Sequence, residues 1–339
     1  MILITGAAGY IGSHVAKQIL ENTTYEIMVV DNLSTGNTKT LETLKSIREF
    51  RFVKIDLNEF DKVDELIRDN NIDIIIHFAA SIVVPESVEN PLKYYMNNTV
   101  NTTNLMQCAN HHGVKKFIFS STAAVYGEPI NIPTSGIDEE YPTNPINPYG
   151  MSKLMSERVL QDTAKANSEF KYVIFRYFNV AGADIHYESS NLKPRIGQSF
   201  PNATHLIKIA SECAVGKREE MEIFGDDFDT PDGTGVRDYI HVDDLAEAHV
   251  KAIEYLEEND SDIFNVGYGK GYSVKEVVET VKEVTKVDFT VKKAKRRAGD
   301  PAILISDNSK IKQLMHWKPK YQSLSLICES VYKWENLHD

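Results

Sequence analysis

The chain has 339 residues, 42% of them hydrophobic, enough to bury the core of one large α/β domain with a smaller one attached. Its net charge of -12 argues against a broad polyanion-binding surface, so nucleic acid is not an expected partner. Cys108, Cys213 and Cys328 match neither a disulfide framework nor a zinc motif. No basic leader and no apolar run of about eighteen residues occurs, so the expected protein is cytoplasmic with no membrane partner.

In the first half, short apolar runs alternate with helical patterns: "ILIT" (2–5), "EIMVVD" (26–31), "RFVKID" (51–56), "IDIIIHFA" (72–79) and "KKFIFSST" (115–122). Such nearly continuous runs of β-branched and aromatic residues predict parallel strands covered on both faces. A sixth run, "YVIFRYFN" (172–179), follows a helix that opens near Pro148. The order predicts a doubly wound parallel sheet of the Rossmann type. After about residue 180 the rhythm changes. Pro, Asn and Ser cluster over 188–204, which predicts a loop or lid. Then come "MEIFG", a helix in "DDLAEAHVKAIEYLEE", a strand in "DIFNVG" and a helix in "SVKEVVETVKEV". In the last, Val274, Val277, Val278, Val281 and Val284 form an apolar stripe that reads as core.

Chemistry enters with "LITGAAGYIG", where Gly6, Gly9 and Gly12 follow a strand and open a helix. Glycines there allow a tight turn and let a pyrophosphate reach backbone N–H groups at the positive helix end. Asp31 closes the next strand, where an acid binds ribose hydroxyls and repels a 2′-phosphate, so the expected cofactor is NAD rather than NADP. Residues 1–180 are expected to bind NAD, with some chain returning from the C-terminal half, and 181–339 to form a smaller C-terminal α/β substrate domain.

The second signal is "NPYGMSK", where Tyr149 and Lys153 stand one helical turn apart on one face. A neighbouring ammonium favours phenolate and draws the phenol from its usual value near 10 towards neutrality. An oxidised nicotinamide adds a second cation, making Tyr149 a base for a hydroxyl whose carbon gives up hydride. Thr122, ending the fifth strand, is placed to hydrogen-bond the reacting oxygen.

Together "TGAAGYIG", "DNLSTG", "HFAA", "ESVENPLKYYMNN", "FSSTAAVYG", "NPYGMSK", "RYFNVAGA", "DGTGVRDYIHVDDLA" and "RRAGD" resemble the extended short-chain dehydrogenase/reductase family, and within it the nucleotide-sugar 4-epimerases, from residue 1 to about 320. The resemblance implies reversible, NAD-dependent 4-epimerisation of UDP-glucose and UDP-galactose through a 4-keto intermediate. It implies catalytic roles for Thr122, Tyr149 and Lys153. Cofactor contacts are implied at Gly6, Gly9, Tyr10, Ile11 and Gly12, and at Asp31, Asn32, Leu33, Ser34, Thr35 and Gly36. Further ones fall at Asp56, Leu57, Phe78, Ala79, Ala80, Asn97 and Phe178, besides Tyr149 and Lys153. Substrate contacts are implied at Thr122, Asn179, Leu206, Phe224, Arg237, Tyr239, Arg297 and Asp300. The two arginines match a diphosphate bidentately. A homodimer packed through the helix at about 90–112 and the Tyr149 helix is implied as well.

Three residues depart from the family pattern. Ile82 stands where many members have a cofactor-side lysine, and His205 where some have asparagine. Leu304 occupies a position whose bulk bears on acceptance of N-acetylated hexoses. Other readings stay open: a 4-epimerase of UDP-N-acetylhexosamine or UDP-glucuronate, a nucleotide-sugar 4,6-dehydratase, or a non-catalytic NAD sensor. Those dehydratases place Asp-Glu after the strand-five Thr, where this chain has Ala123 and Ala124. A sensor has no use for the Tyr/Lys pair. "DDFDTPDGTG" (226–235) fails the calcium-loop spacing, and the histidines form no zinc motif, so no metal is expected.

Overall fold

The computed structural model describes residues 1–200, 204–297 and 300–337. Its first half runs β1 (Ile2–Thr5), α1 (Tyr10–Asn22), β2 (Ile27–Asp31), α2 (Thr38–Ile47), β3 (Arg51–Lys54), α3 (Phe60–Arg68) and β4 (Ile74–His77). Next come α4 (Val84–Glu89), α5 (Pro91–Tyr94), a π-helical turn (Tyr95–Val100), α6 (Asn101–His111), β5 (Lys116–Thr122), a 3₁₀ turn (Ala123–Tyr126), α7 (Pro148–Ala166) and β6 (Lys171–Tyr177). The second half holds β7 (Asn179–Ala181), β8 (Tyr187–Glu188), β9 (Asn191–Leu192), α8 (Leu206–Ala214), β10 (Glu220–Phe224), β11 (Val236–His241) and α9 (Val242–Glu258). It ends with β12 (Asp262–Val266), β13 (Gly271–Ser273), α10 (Val274–Thr285), β14 (Thr290–Ala294), β15 (Ile303–Leu304), α11 (Ser309–Leu314) and α12 (Leu324–Asn336).

All six apolar runs of the first half are strands of one parallel, seven-stranded sheet, ordered β12-β6-β5-β4-β1-β2-β3. Both faces are buried along β1, β2 and β4, as the continuous runs predict, whereas the edge strand β3 has Arg51 and Lys54 exposed. Ile2, Ile4, Val29, Ile76, Ile118 and Phe175 belong to one core cluster, while their strand neighbours Leu3, Met28, Val30, Ile75, Phe117 and Ile174 belong to another. This is a Rossmann-type doubly wound fold. The seventh strand, β12, comes from "DIFNVG" and lies against β6, and α9 packs on α1, so the chain's second half completes the first layer.

A smaller sheet joins β13, β11 and β15, with β7 beside β11. "MEIFG" is β10, paired with β14. In the loop at 188–204, Ser189 and Ser190 turn through φ of 48° and 68° between the short strands β8 and β9. Residues 201–203 of that loop, and Ala298 and Gly299 of "RRAGD", lie outside the described residues. The valine stripe is core: Val277, Val278 and Val281 are buried, and Ser273 starts α10 with a capping box to Glu276.

The helix that carries Tyr149 starts where the sequence places it. Pro148 takes the first position, and the Asn147 side chain accepts a 2.8 Å bond from the Gly150 amide. The β5–β6 register sets Thr122 opposite Tyr177 and Ser121 opposite Arg176, so polar groups gather at the carboxyl ends of these strands.

Candidate active site

Steric limits define the glycine loop. Gly6 has φ +78°, and a Cβ there would stand 2.7 Å from the Ala79 amide. A Cβ on Gly12 would stand 2.5 Å from the Gly6 carbonyl. Only glycine fits at either position, and the close approach leaves the N-terminus of α1 open to an anion. Gly9 is the helix cap, and Tyr10 donates a 2.6 Å bond to the Gly182 carbonyl in the second half of the chain.

At the end of β2, the Asp31 carboxylate accepts from Ala8 N (3.0 Å) and Leu33 N (2.8 Å). Burial pushes this carboxyl up, against the pull of those two bonds. Asn32 donates to Asp56 (2.7 Å) and accepts from the Ser34 amide (2.9 Å). The acid therefore lies between the glycine loop and the turn that follows, with its neighbours fixed.

One cavity of ≈ 1500 Å³ connects these residues to the rest of the site. Single small-ligand pockets run to about 1,000 Å³, so this one has room for two ligands. Gly6, Gly9, Tyr10, Ile11, Gly12, Asp31, Asn32, Ser34, Thr35, Asp56 and Leu57 line it, as do Phe78, Ala79, Ala80, Asn97 and Phe178. So do Thr122, Tyr149 and Lys153, together with Asn179, Leu206, Phe224, Arg237, Tyr239, Arg297 and Asp300. Leu33 and Gly36 do not line it; they shape the loop behind Asp31, where a Cβ on Gly36 would lie 2.6 Å from the Ala8 Cβ.

Thr122 caps the 3₁₀ turn by accepting from Ala124 N (3.1 Å), and its hydroxyl is hydrogen-bonded to the Tyr149 phenol. Lys153 is 2% exposed, donates to the Ser120 carbonyl (2.7 Å) and lies 4.9 Å from the centre of the Phe119 ring. Burial pulls its ammonium down to about 7, partly offset by Glu157. Tyr149 departs from the sequence expectation. Burial raises its phenol, against the bond from Thr122, and Lys153 does not bring it towards neutrality. Desolvation penalises both charged forms, and a lysine near 7 is only part-time a cation at neutral pH.

The second-half arginines that line the cavity each have a partner. Arg237 is 9% exposed, donates to the Val236 carbonyl (2.8 Å) and forms an ion pair with Asp300. The Arg297 guanidinium lies 3.6 Å from the centre of the Phe224 ring, a stacked arginine. Tyr239 pairs in register with Asn179. His205 caps α8 just before Leu206, and its buried Nδ1 has no hydrogen-bond partner among the described residues. Ile82 and Leu304 also line the cavity.

Sequence reasoning missed several lining residues. Ser81 is held by Asn97 (Nδ2 to Oγ, 3.0 Å) and by Asn98, whose side chain also reaches Ser152 on α7 (3.0 Å). The paired asparagines of "YMNN" were a usable signal, but the π-helical turn that aims both at one loop was not legible. Tyr177, 2.6 Å from His249 Nε2, could have been found as the register partner of Thr122. Phe228 follows from no pattern.

Three acids of the calcium-like loop are engaged: Asp226 pairs with Lys293 (2.7 Å), Asp227 with Arg296 (2.6 Å), and Asp232 bonds Thr234 (2.7 Å). Among the described residues, one group has ligand atoms close enough to share a metal ion: Asp64, His111 and His112. None of the three lines the cavity.

A doubly wound sheet with a glycine loop and a Tyr/Lys pair at its carboxyl edge defines a dinucleotide-dependent enzyme class, and the comparisons agree. Residues 2–267 match the NAD dependent epimerase/dehydratase family, and the chain belongs to it. It is 45% identical over 335 residues to a UDP-glucose 4-epimerase of Azospirillum brasilense, covering 98% of this chain and 91% of that protein. A solved UDP-Glc/GlcNAc 4-epimerase from Campylobacter jejuni is 57% identical with a TM-score of 0.85, covering 99% of both chains. The UDP-glucose 4-epimerase of Bifidobacterium longum, solved in complex with NAD+ and UDP, is 37% identical with a TM-score of 0.91 over 98% of this chain and 97% of that one.

Proposed function

We propose that this chain is an NAD-dependent 4-epimerase that interconverts UDP-glucose and UDP-galactose through a 4-keto sugar. The observation that carries this reading is the single cavity lined by the glycine loop, the Tyr149–Thr122–Lys153 group and the two arginines. NAD fits the protein here: a glycine cradle that a Cβ would fill, an open helix end and a buried acid lie along one wall. When bound, it supplies a reversible two-electron acceptor and a positive ring. Tyr149, hydrogen-bonded to Thr122, takes the proton of the 4-hydroxyl and later returns it. Lys153, one helical turn from Tyr149 and partly neutral when alone, holds the phenolate once a second cation shares the site. Gly6, Gly9, Tyr10, Ile11, Gly12 and Asp31–Gly36 hold or shape the dinucleotide site.

Arg237 and Arg297 grip the diphosphate, with Asn179, Leu206, Phe224, Tyr239 and Asp300 about the nucleotide. Anchoring remote from the reacting carbon leaves the hexose free to present either face of its 4-keto form. Residues 1–180, with β12, carry cofactor binding, and 181–339 mainly carry nucleotide-sugar binding. Dehydration is disfavoured because Ala123 and Ala124, in the 3₁₀ turn after Thr122, offer no carboxylate.

A second substrate has a specific argument. The Campylobacter relative is described as acting on UDP-Glc and UDP-GlcNAc, and Leu304, with its intermediate bulk, lines this cavity. Purified protein is incubated separately with UDP-galactose, UDP-N-acetylgalactosamine and UDP-galacturonate, and products are separated by chromatography. UDP-glucose from the first is the expected result; no 4-epimer from any of the three would overturn the reading.

The protein is further proposed to be a cytoplasmic homodimer. Its cysteines are free and buried, and among the described residues no helix is long and apolar enough to cross a membrane. Val88, Leu92, Met96 and Val100 recur four residues apart along α4, α5 and the π-helical turn, with Leu92 74% exposed, and Met155 is exposed on α7. A second copy covering this stripe would account for it. Light scattering should give twice the 38.3 kDa chain mass, and a monomer at micromolar concentration would reject the proposal.

A further inference from the structure

Lys153 has an acidic neighbour to which the reaction assigns no task. Glu157 stands one helical turn beyond Lys153 and two beyond Tyr149 on α7, so the three side chains follow one face. Glu157 is fully buried, at 0% exposure. Arg176, on β6, grips its carboxylate from Nη2 at 2.8 Å and from Nε at 3.2 and 3.3 Å. The Ser121 hydroxyl donates to the same carboxylate. Arg176 is fixed in turn, donating to the Tyr126 hydroxyl (3.0 Å) and to the Glu139 carbonyl (3.1 Å). Tyr126 donates to Asn265 Oδ1 on β12 (2.7 Å). A buried polar network thus joins α7, β5, β6 and β12 beside the catalytic lysine.

Packing alone gives little reason for this network. Desolvation offsets most of the attraction within a buried ion pair, and apolar side chains of similar volume hold a helix to a sheet as well. What the pair adds is charge at a fixed place, with its acidic end one turn from Lys153. We propose that Glu157 is a positioning residue that keeps Lys153 in its ammonium form, and that Arg176 sets the strength of this effect. The proposal rests on the 4-epimerase reading.

The direction of the effect is consistent with the lysine's surroundings. Burial pulls the ammonium down, and Glu157 is the group that opposes it. Of the other titratable or charged groups on the elements around α7, Glu89 on α4 and His111 on α6 are exposed, and burial raises the phenols of Tyr94 on α5 and Tyr172 on β6. Glu86 on α4 is paired with Lys93 of α5 and accepts from Tyr94 (2.8 Å). His77 on β4 is held down to about 3 by burial and by Lys153, so it is neutral. Burial raises the phenols of Tyr126 and Tyr177, which stay protonated. Lys116 and Lys171 stand at the opposite ends of β5 and β6, where they pair with Glu257 and Asp260. Glu157 is therefore the acid that acts on Lys153.

The test is the pH profile of kcat for UDP-galactose in wild type, Glu157→Gln and Arg176→Met. Loss of the Lys153 proton gives the alkaline limb. In Glu157→Gln the acid is gone and Arg176 is left uncompensated, so the limb should move to lower pH by about one unit. Arg176→Met leaves the carboxylate unopposed, and its limb should move to higher pH. KM should stay within about twofold in both, since neither residue lines the cavity. A merely structural role would lower kcat equally at all pH values or shift both variants alike. Where one variant fails to fold by circular dichroism, the other decides the sign. Where both fail, the doubly neutral E157Q/R176M, which buries no unpaired charge, must show its limb below that of wild type. Limbs that stay in place, or move the wrong way, in variants of an active wild type overturn this proposal alone; an inactive wild type overturns the 4-epimerase reading itself.

Discussion

The two halves of the cavity wall handle charge in opposite ways. Around Tyr149, polar groups stand on α7 and at the ends of β4 and β5, where burial moves their proton affinities: Lys153 down to about 7, His77 to about 3, the phenol up. Around the arginines, charge is balanced by acids or rings: Arg237 by Asp300, Arg296 by Asp227, Arg297 by the face of Phe224. Groups whose charged state is only marginally favoured suit proton transfer. Permanent cations with exchangeable partners suit a ligand that is always an anion. Changes on the first side should therefore appear in kcat, and changes on the second in KM.

The sharpest way to break that contrast is Tyr149→Phe. It removes the proton acceptor and keeps the ring, so kcat should fall by about 10³-fold or more, within the range for a lost acid–base group. UDP affinity, measured by calorimetry, should not change. Near-normal turnover would remove Tyr149 from the chemistry. Next in size is Gly12→Ala, whose Cβ would meet the Gly6 carbonyl at 2.5 Å. Forcing a methyl against backbone costs about 2 kcal/mol, so NAD affinity should drop about 30-fold while UDP affinity is kept. Cofactor retained through gel filtration at wild-type level would contradict the cradle.

The two sides were also unequally legible in the sequence. Cofactor binding draws on short local motifs, because a glycine turn, a helix start and a strand end occur within one βαβ unit. Thus Gly6, Gly12 and Asp31 could be read from spacing alone. Arg237, Asp300 and Phe224 come from segments far apart in the chain, and only the family resemblance pointed to them. Even that did not reveal that Arg237 and Asp300 hold each other. The pattern in "DIFNVG" gave a strand, but not its place beside β6, since edge pairing depends on how the chain crosses back. The reversal at Tyr149 has the same origin: helical spacing sets which side chains are neighbours, while burial decides which of them stays charged.

Arg297→Ala carries the contrast to the other side. Losing a charge-assisted phosphate contact costs about 1.5–3 kcal/mol, so KM for UDP-galactose should rise about 10- to 100-fold with kcat within threefold. A fall in kcat at unchanged KM would place this arginine in the chemistry and erase the distinction.

The smallest effect expected is that of Asp300→Asn, because two consequences oppose each other. The carboxylate balances Arg237, and neutralising it makes the wall more positive towards a diphosphate, which strengthens binding. Its side chain is 37% exposed, so that gain is at the level of a solvent-screened pair, about 0–1 kcal/mol. Against it stands the weakening into a neutral one of the charge-assisted bond to a polar group of the nucleotide that the proposed role of Asp300 implies, about 1 kcal/mol. The two nearly cancel, and KM should stay within about threefold of wild type, with kcat unchanged. A tenfold fall in KM would mean that Asp300 chiefly restrains Arg237, and a tenfold rise that it chiefly holds the nucleotide. Either result would show that this side of the wall is tuned by one group rather than balanced by two.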